Sequence, residues 1–154
     1  MTSLIAFRRV VTDVHTHSLN LPDAPQGQQA AQELATLPDG RTVVALFDGF
    51  TLPAGQPAAI AASIETLPTP LDPALKEQIK AASPMVALIA KNMVDTIRAS
   101  YSIDDEMYYA RIGVGAATGL YAPSADEMQE LTVFGEFVEG VRQWGRAERA
   151  KLGL

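Results

Sequence analysis

The sequence is poor in the groups that do chemistry. It has no cysteine among its 154 residues, so disulfides and thiolate nucleophiles are excluded. It has two histidines, His15 and His17, and a single tryptophan, Trp144. Positive charge is scarce as well. Twelve Lys and Arg stand against eighteen Asp and Glu, a net charge of −6. A nucleic-acid partner held by a broad basic field is therefore not expected. No window approaches the roughly 18 consecutive apolar residues of a membrane span, so no membrane partner is expected either. The opening residues Met1 to His17 lack the arrangement of a signal peptide, because Arg8 and Arg9 follow the apolar stretch instead of preceding it. The expectation is a soluble chain that begins near residue 1. At 47% hydrophobic residues it can build a core, but it is too short for an eight-stranded β/α barrel of roughly 200 residues or more.

What is present reads as α+β. An antiparallel β-region fills residues 1–66, and a helical bundle of three or four helices fills 67–154. The two segments can belong to one domain. Leu4 to Leu19 is rich in Val, Ile, Phe and Thr and reads as extended. Over Val10–His17 strict alternation would put Val11, Asp13, His15 and His17 on one face. Pro38-Asp39-Gly40 is a strong turn, so 33–37 and 41–47 predict a β-hairpin. Ala58 to Leu67, bracketed by prolines, predicts an edge strand or an extended strap.

Helix starts are frequent from Asp72 onward. Asp72-Pro73 and Ser83-Pro84 place an acceptor side chain at the N-cap and proline in the first helical position. Ser102 to Asp105 and Ser124 to Glu127 have capping-box spacing. The third helix of this series is expected to run to about Ile112. The last carries Met128, Leu131, Phe134, Val138 and Val141 at spacings of three and four, with Phe137 and Trp144 broadening the stripe. Acidic residues fill its first turns. Arg142, Arg146, Arg149 and Lys151 fill its last, which suits the helix dipole. Gly135, Gly140 and Gly145 each weaken it by up to ~1 kcal/mol relative to alanine. A helix carrying that cost is stabilised by packing, and a second chain is one source of it. Phe134, Phe137, Val141 and Trp144 are the candidate interface residues, because large aromatics anchor interfaces.

Two stretches imitate chemistry. Asp13-Val14-His15-Thr16-His17 has the D-x-H-x-H form of metal-dependent amidohydrolases. A catalytic zinc usually needs three protein ligands, and no third imidazole exists in the chain. The other use of the pair is on the threefold axis of a trimer, where six imidazoles would suit an octahedral iron. His15 and His17 are thus candidate metal ligands only on a symmetry axis; otherwise no cofactor and no catalytic residue is expected. Gly113 to Gly119 has the spacing of a glycine-rich dinucleotide loop, but no strand remains after it to hold the ribose. Its alternative is a small-residue stretch that lets helices or subunits approach closely.

Four stretches together resemble small tail- or fibre-associated proteins of tailed bacteriophages and prophages. They are the hairpin from Leu37 to Leu46, the run Ser83 to Ile89, the run Ile97 to Glu106, and the ending Val141 to Glu148. That resemblance implies a non-enzymatic virion component, made in the bacterial cytoplasm, that binds protein partners and forms a homo-oligomer. An assembly adaptor for a different protein is the alternative it leaves open. A small hydrolase using His15 and His17 is the third reading.

Overall fold

A computed structural model describes Met1–Leu154. In chain order the elements are β1 (Ser3–Arg8), β2 (Val10–Val11), β3 (Thr16–His17), β4 (Ala31–Thr36) and β5 (Arg41–Leu46). These are followed by α1 (Ala58–Ala61), β6 (Glu65–Thr66), α2 (Pro73–Ala82), α3 (Pro84–Ser100), α4 (Ile103–Thr118) and α5 (Ala125–Lys151). An antiparallel sheet precedes a run of helices, so the class is α+β. The chain divides into two compact units, Met1–Leu88 with Glu148–Leu154, and Ile89–Ala147. The helical region that begins after residue 66 is shared between them.

The first unit is built on a four-stranded sheet in the order β4-β5-β1-β6. Its nucleus in sequence is the Pro38–Gly40 turn. Gly40 takes φ +82, which glycine adopts at little steric cost, and donates its N–H to the Leu37 carbonyl at 2.9 Å. The Asp39 carboxylate accepts the Arg41 N–H at 2.9 Å and so fixes the return of the chain. β5 pairs with β4 on one side and with β1 on the other, with Ile5 opposite Val44 and Phe7 opposite Thr42. Leu4–Phe7 and Thr42–Leu46 are buried without alternation. Both strands are central, and both of their faces are covered. One face meets the cluster of Ile5, Phe7, Leu19, Val44, Leu46 and Ile60. α2 lies beside β4. It starts where Asp72 Oδ1 accepts the N–H groups of Ala74 and Leu75, both at 3.0 Å. Leu152 and Leu154 are buried in this unit, and Thr2 Oγ1 donates to the Lys151 carbonyl at 2.8 Å.

Three expectations are corrected. Val10–His17 is not one strand. β2 and β3 pair with each other, Val10 opposite His17, around a turn closed by Thr12. The Thr12 hydroxyl accepts the His15 N–H at 3.1 Å and donates to the His15 carbonyl at 3.0 Å, while the Thr12 N–H reaches the same carbonyl at 2.8 Å. Side-chain bonding to the local backbone thus overrides the β-propensity of Val and Thr. Ala58–Leu67 holds the short helix α1 before β6 forms the expected edge. α4 does not stop near Ile112; it continues through Gly113 and Gly115 to Thr118 and ends at Gly119, φ +71.

Candidate functional site

Of the two histidines only His17 lies within a strand. His15 lies in the Thr12–His15 turn and His17 in β3, with ring centroids 6.4 Å apart and ring planes at 70°. The chain contains no group of three or more His, Cys, Asp or Glu side chains that could hold a metal ion.

The second unit, Ile89–Ala147, is where exposed apolar surface collects. Its buried large apolar side chains, each exposed by less than about a tenth, are Ile89, Ile112 and Val141. Val94, Ile103, Met107, Val114, Val133 and Trp144 are exposed by 42 to 68%. The polypeptide is locally well specified. Ser102 and Asp105 form a reciprocal capping box at the start of α4. Ser124 and Glu127 do the same for α5, with Ser124 N–H to Glu127 Oε2 at 2.7 Å and Glu127 N–H to Ser124 Oγ at 3.2 Å.

Glu127 also ties α4 to α5. Its Oε1 accepts the hydroxyls of Tyr121 at 2.7 Å and Tyr108 at 3.3 Å. Hydrogen bonds, first from the Ser124 N–H and then from Tyr121, lower the Glu127 pKa. The bond to Glu127 raises that of Tyr121. Loss of water, followed by the Glu127 charge, raises that of Tyr108. Gly113 and Gly115 serve this junction. A Cβ on Gly115 would stand 2.7 Å from Tyr121 Cβ, and one on Gly113 would meet Leu131 at 3.7 Å. The glycine-rich stretch therefore lies inside α4, where Gly115 makes room for the chain at Tyr121, and forms no loop to cradle a phosphate.

α5 carries two apolar stripes on different faces. Phe134, Val138, Val141 and Gly145 form the inner one. Phe134 stacks on Tyr109 at 4.8 Å between centroids and meets Tyr101 edge-on at 5.0 Å; Phe137 leans on Tyr101 at 5.4 Å. Gly145 touches Met93 of α3, so closely that a Cβ there would overlap Met93 Sδ. The outer stripe is Val133, Phe137, Gly140 and Trp144, spaced four, three and four. It lies roughly 100° around the helix from the first, at 3.6 residues per turn. Gly140 has nothing within 4 Å of where its Cβ would be. A groove of about 650 Å³ opens on this side, lined by Asn92 and Thr96 of α3 and by Glu136, Phe137, Gly140, Val141 and Trp144 of α5.

The four candidate interface residues thus have unlike surroundings. Phe134 and Val141 are engaged within the chain. Phe137 bridges the aromatic cluster and the groove, and Trp144 is 42% exposed on the groove rim. Val133 and Gly140 join the site only in the folded chain. Their signal in the sequence is the four-three-four spacing of the outer stripe, but the inner stripe has the same spacing one residue further on and masks it. No protein-family model, curated protein or solved structure matches the chain.

Proposed function

We propose that the protein is a structural, non-enzymatic component that works by self-association, and that the assembly it joins is the tail or fibre region of a tailed-phage virion. The observation that carries the first part is the poverty of the core in Ile89–Ala147. Three buried large aliphatic side chains and one aromatic cluster serve three helices, while nine other large apolar residues face outward. A unit so short of core is normally completed by another chain. Contiguous exposed apolar surface is the usual mark of a protein–protein contact. The second part rests on the resemblance of the Pro38–Gly40 hairpin and the helical segments to phage tail proteins.

A different protein partner is the second reading, and α4 favours it. Ile103, Met107 and Val114 fall on one face of that helix and are exposed by 59, 68 and 63%. An outer stripe on α5 satisfied by a second copy would leave this face free for an unlike partner.

Sedimentation equilibrium at micromolar concentration tests self-association: a mass of two or more chains is expected, and a sharp monomer refutes it. Mass spectrometry of particles purified from cells carrying the coding sequence tests the virion placement. Absence of the chain from the particles removes that placement, and recovery in a stable complex with an unlike chain favours the adaptor.

A further inference from the structure

We propose that the groove between α3 and α5 is filled by α5 of a second copy, running antiparallel, with the twofold axis passing between Val138 and Glu139. The inference deepens the self-association reading and rests on it.

Register follows from the outer stripe. About that axis, Phe137 stands opposite the second copy's Gly140, and Val133 opposite the second copy's Trp144. Each layer joins a large side chain to a smaller one. Gly140 is open in the single chain, with no atom within 4 Å of where a Cβ would stand, so it offers room for a phenyl ring. Spacings of four, three and four are those of an a/d seam, which suits helix pairing at a shallow angle. A parallel pair would instead stack Phe137 on Phe137 and Gly140 on Gly140, leaving a void at the glycine layer.

Charge selects the same orientation. The first half of α5 carries Asp126, Glu127, Glu130 and Glu136 and no base. The second half carries Arg142, Arg146, Arg149 and Lys151 against Glu139 and Glu148. Antiparallel pairing lays acidic half on basic half and opposes the two helix dipoles. It also brings Asp126, at one end of the stripe, to the second copy's Lys151 at the other end. Parallel pairing would set Asp126 and Glu130 against their own copies.

The absence of native cysteine makes the register directly testable. Val133→Cys and Trp144→Cys are prepared as separate proteins and oxidised alone and mixed. The expected result is a covalent dimer from the mixture and little from either alone. Covalent dimers from each alone would establish a parallel seam and overturn the proposal. A wild-type oligomer whose cysteine mixture does not cross-link would overturn the proposal and leave self-association standing; a wild-type monomer would overturn both. A second variant guards against loss of the Trp144 contact. Gly140→Glu projects into open space in the single chain, so it should keep its helical circular dichroism while self-association weakens at least tenfold. An unchanged native mass for folded Gly140→Glu would overturn the proposal.

Discussion

Replacing Gly145 by alanine should destabilise the protein, although alanine is the better helix former. In an exposed helix interior the exchange stabilises by about 0.5–1 kcal/mol. Gly135 is such a place, with nothing within 4 Å of its Cβ direction. At Gly145 the new methyl overlaps Met93 Sδ and stands 3.1 Å from Met93 Cγ and Cε. Overpacking of this kind costs about 1–3 kcal/mol, and the unbranched methionine side chain yields enough to keep it near the lower half of that range. The net effect of Gly145→Ala is then a loss of about 1 kcal/mol, and that of Gly135→Ala a gain of nearly the same size. For a chain of this length the two variants should melt about 5 °C apart, on opposite sides of the wild type. Thermal unfolding followed by far-ultraviolet circular dichroism reads the difference. In a Met93→Ala background the penalty at Gly145 should vanish, giving a coupling energy of at least ~0.5 kcal/mol. If Gly145→Ala stabilises as much as Gly135→Ala does, α3 and α5 do not meet at Met93, and the account of the inner stripe is wrong.

Three further outcomes are expected. Phe7→Ala, at a fully buried position in the cluster under the sheet, should cost about 3–5 kcal/mol and be read as an early urea midpoint. The Glu127 clasp sets a pH window with a determinate sign. Glu127 is shifted below its ordinary 4.5, so its contribution is present above that value and fades as pH falls through the lowered pKa. Tyr121 is shifted above its ordinary 10.0, so its contribution is present below that value and fades as pH rises through the raised pKa. Glu127→Gln should remove the acid-side fade, and ultraviolet absorbance of the phenolate should show Tyr121 ionising later in the wild type than in that variant. Elemental analysis of purified protein should find no stoichiometric metal. One ion per three chains would favour the threefold-axis role for His15 and His17, and one per chain would favour the hydrolase.

Legibility from the sequence follows the range of the interactions. The Pro38–Gly40 hairpin, the Asp72-Pro73 start and the Ser124–Glu127 box are readable because each is settled within four residues. β6 is half readable: its pairing with β1 is remote in sequence, whereas the prolines that bound it are local. The Val10–His17 segment departs from its strand pattern because one hydroxyl, that of Thr12, outweighs the strand preference of its neighbours. α4 outruns its expected end because glycine is more than a helix breaker there. The side chain that makes Gly115 useful, that of Tyr121, arrives from the following segment. Of the candidate site, the aromatic anchors are visible in the sequence and the pairing partner of each is not.

Of the three glycines of α5, Gly140 is the one that the proposed helix pairing would account for. Spaced at every fifth residue, they fall on different faces of the helix, and each weakens it by up to ~1 kcal/mol. Gly145 is accounted for inside the chain, because Met93 occupies the space a methyl would need. Gly135 has no neighbour, and nothing in the structure explains it. Gly140 also has no neighbour, yet it lies in the middle of the outer stripe, between Phe137 and Trp144, on the wall of the groove. A residue that costs helix stability and fills no need of its own chain is explained if the need belongs to the assembly. Removing a side chain at the centre of a helix pair lets the opposing ring enter, and the burial of that ring offsets what the glycine loses. The proposed pairing would give the short core of Ile89–Ala147 and the exposed Trp144 the same cause, a helix face completed by a second copy.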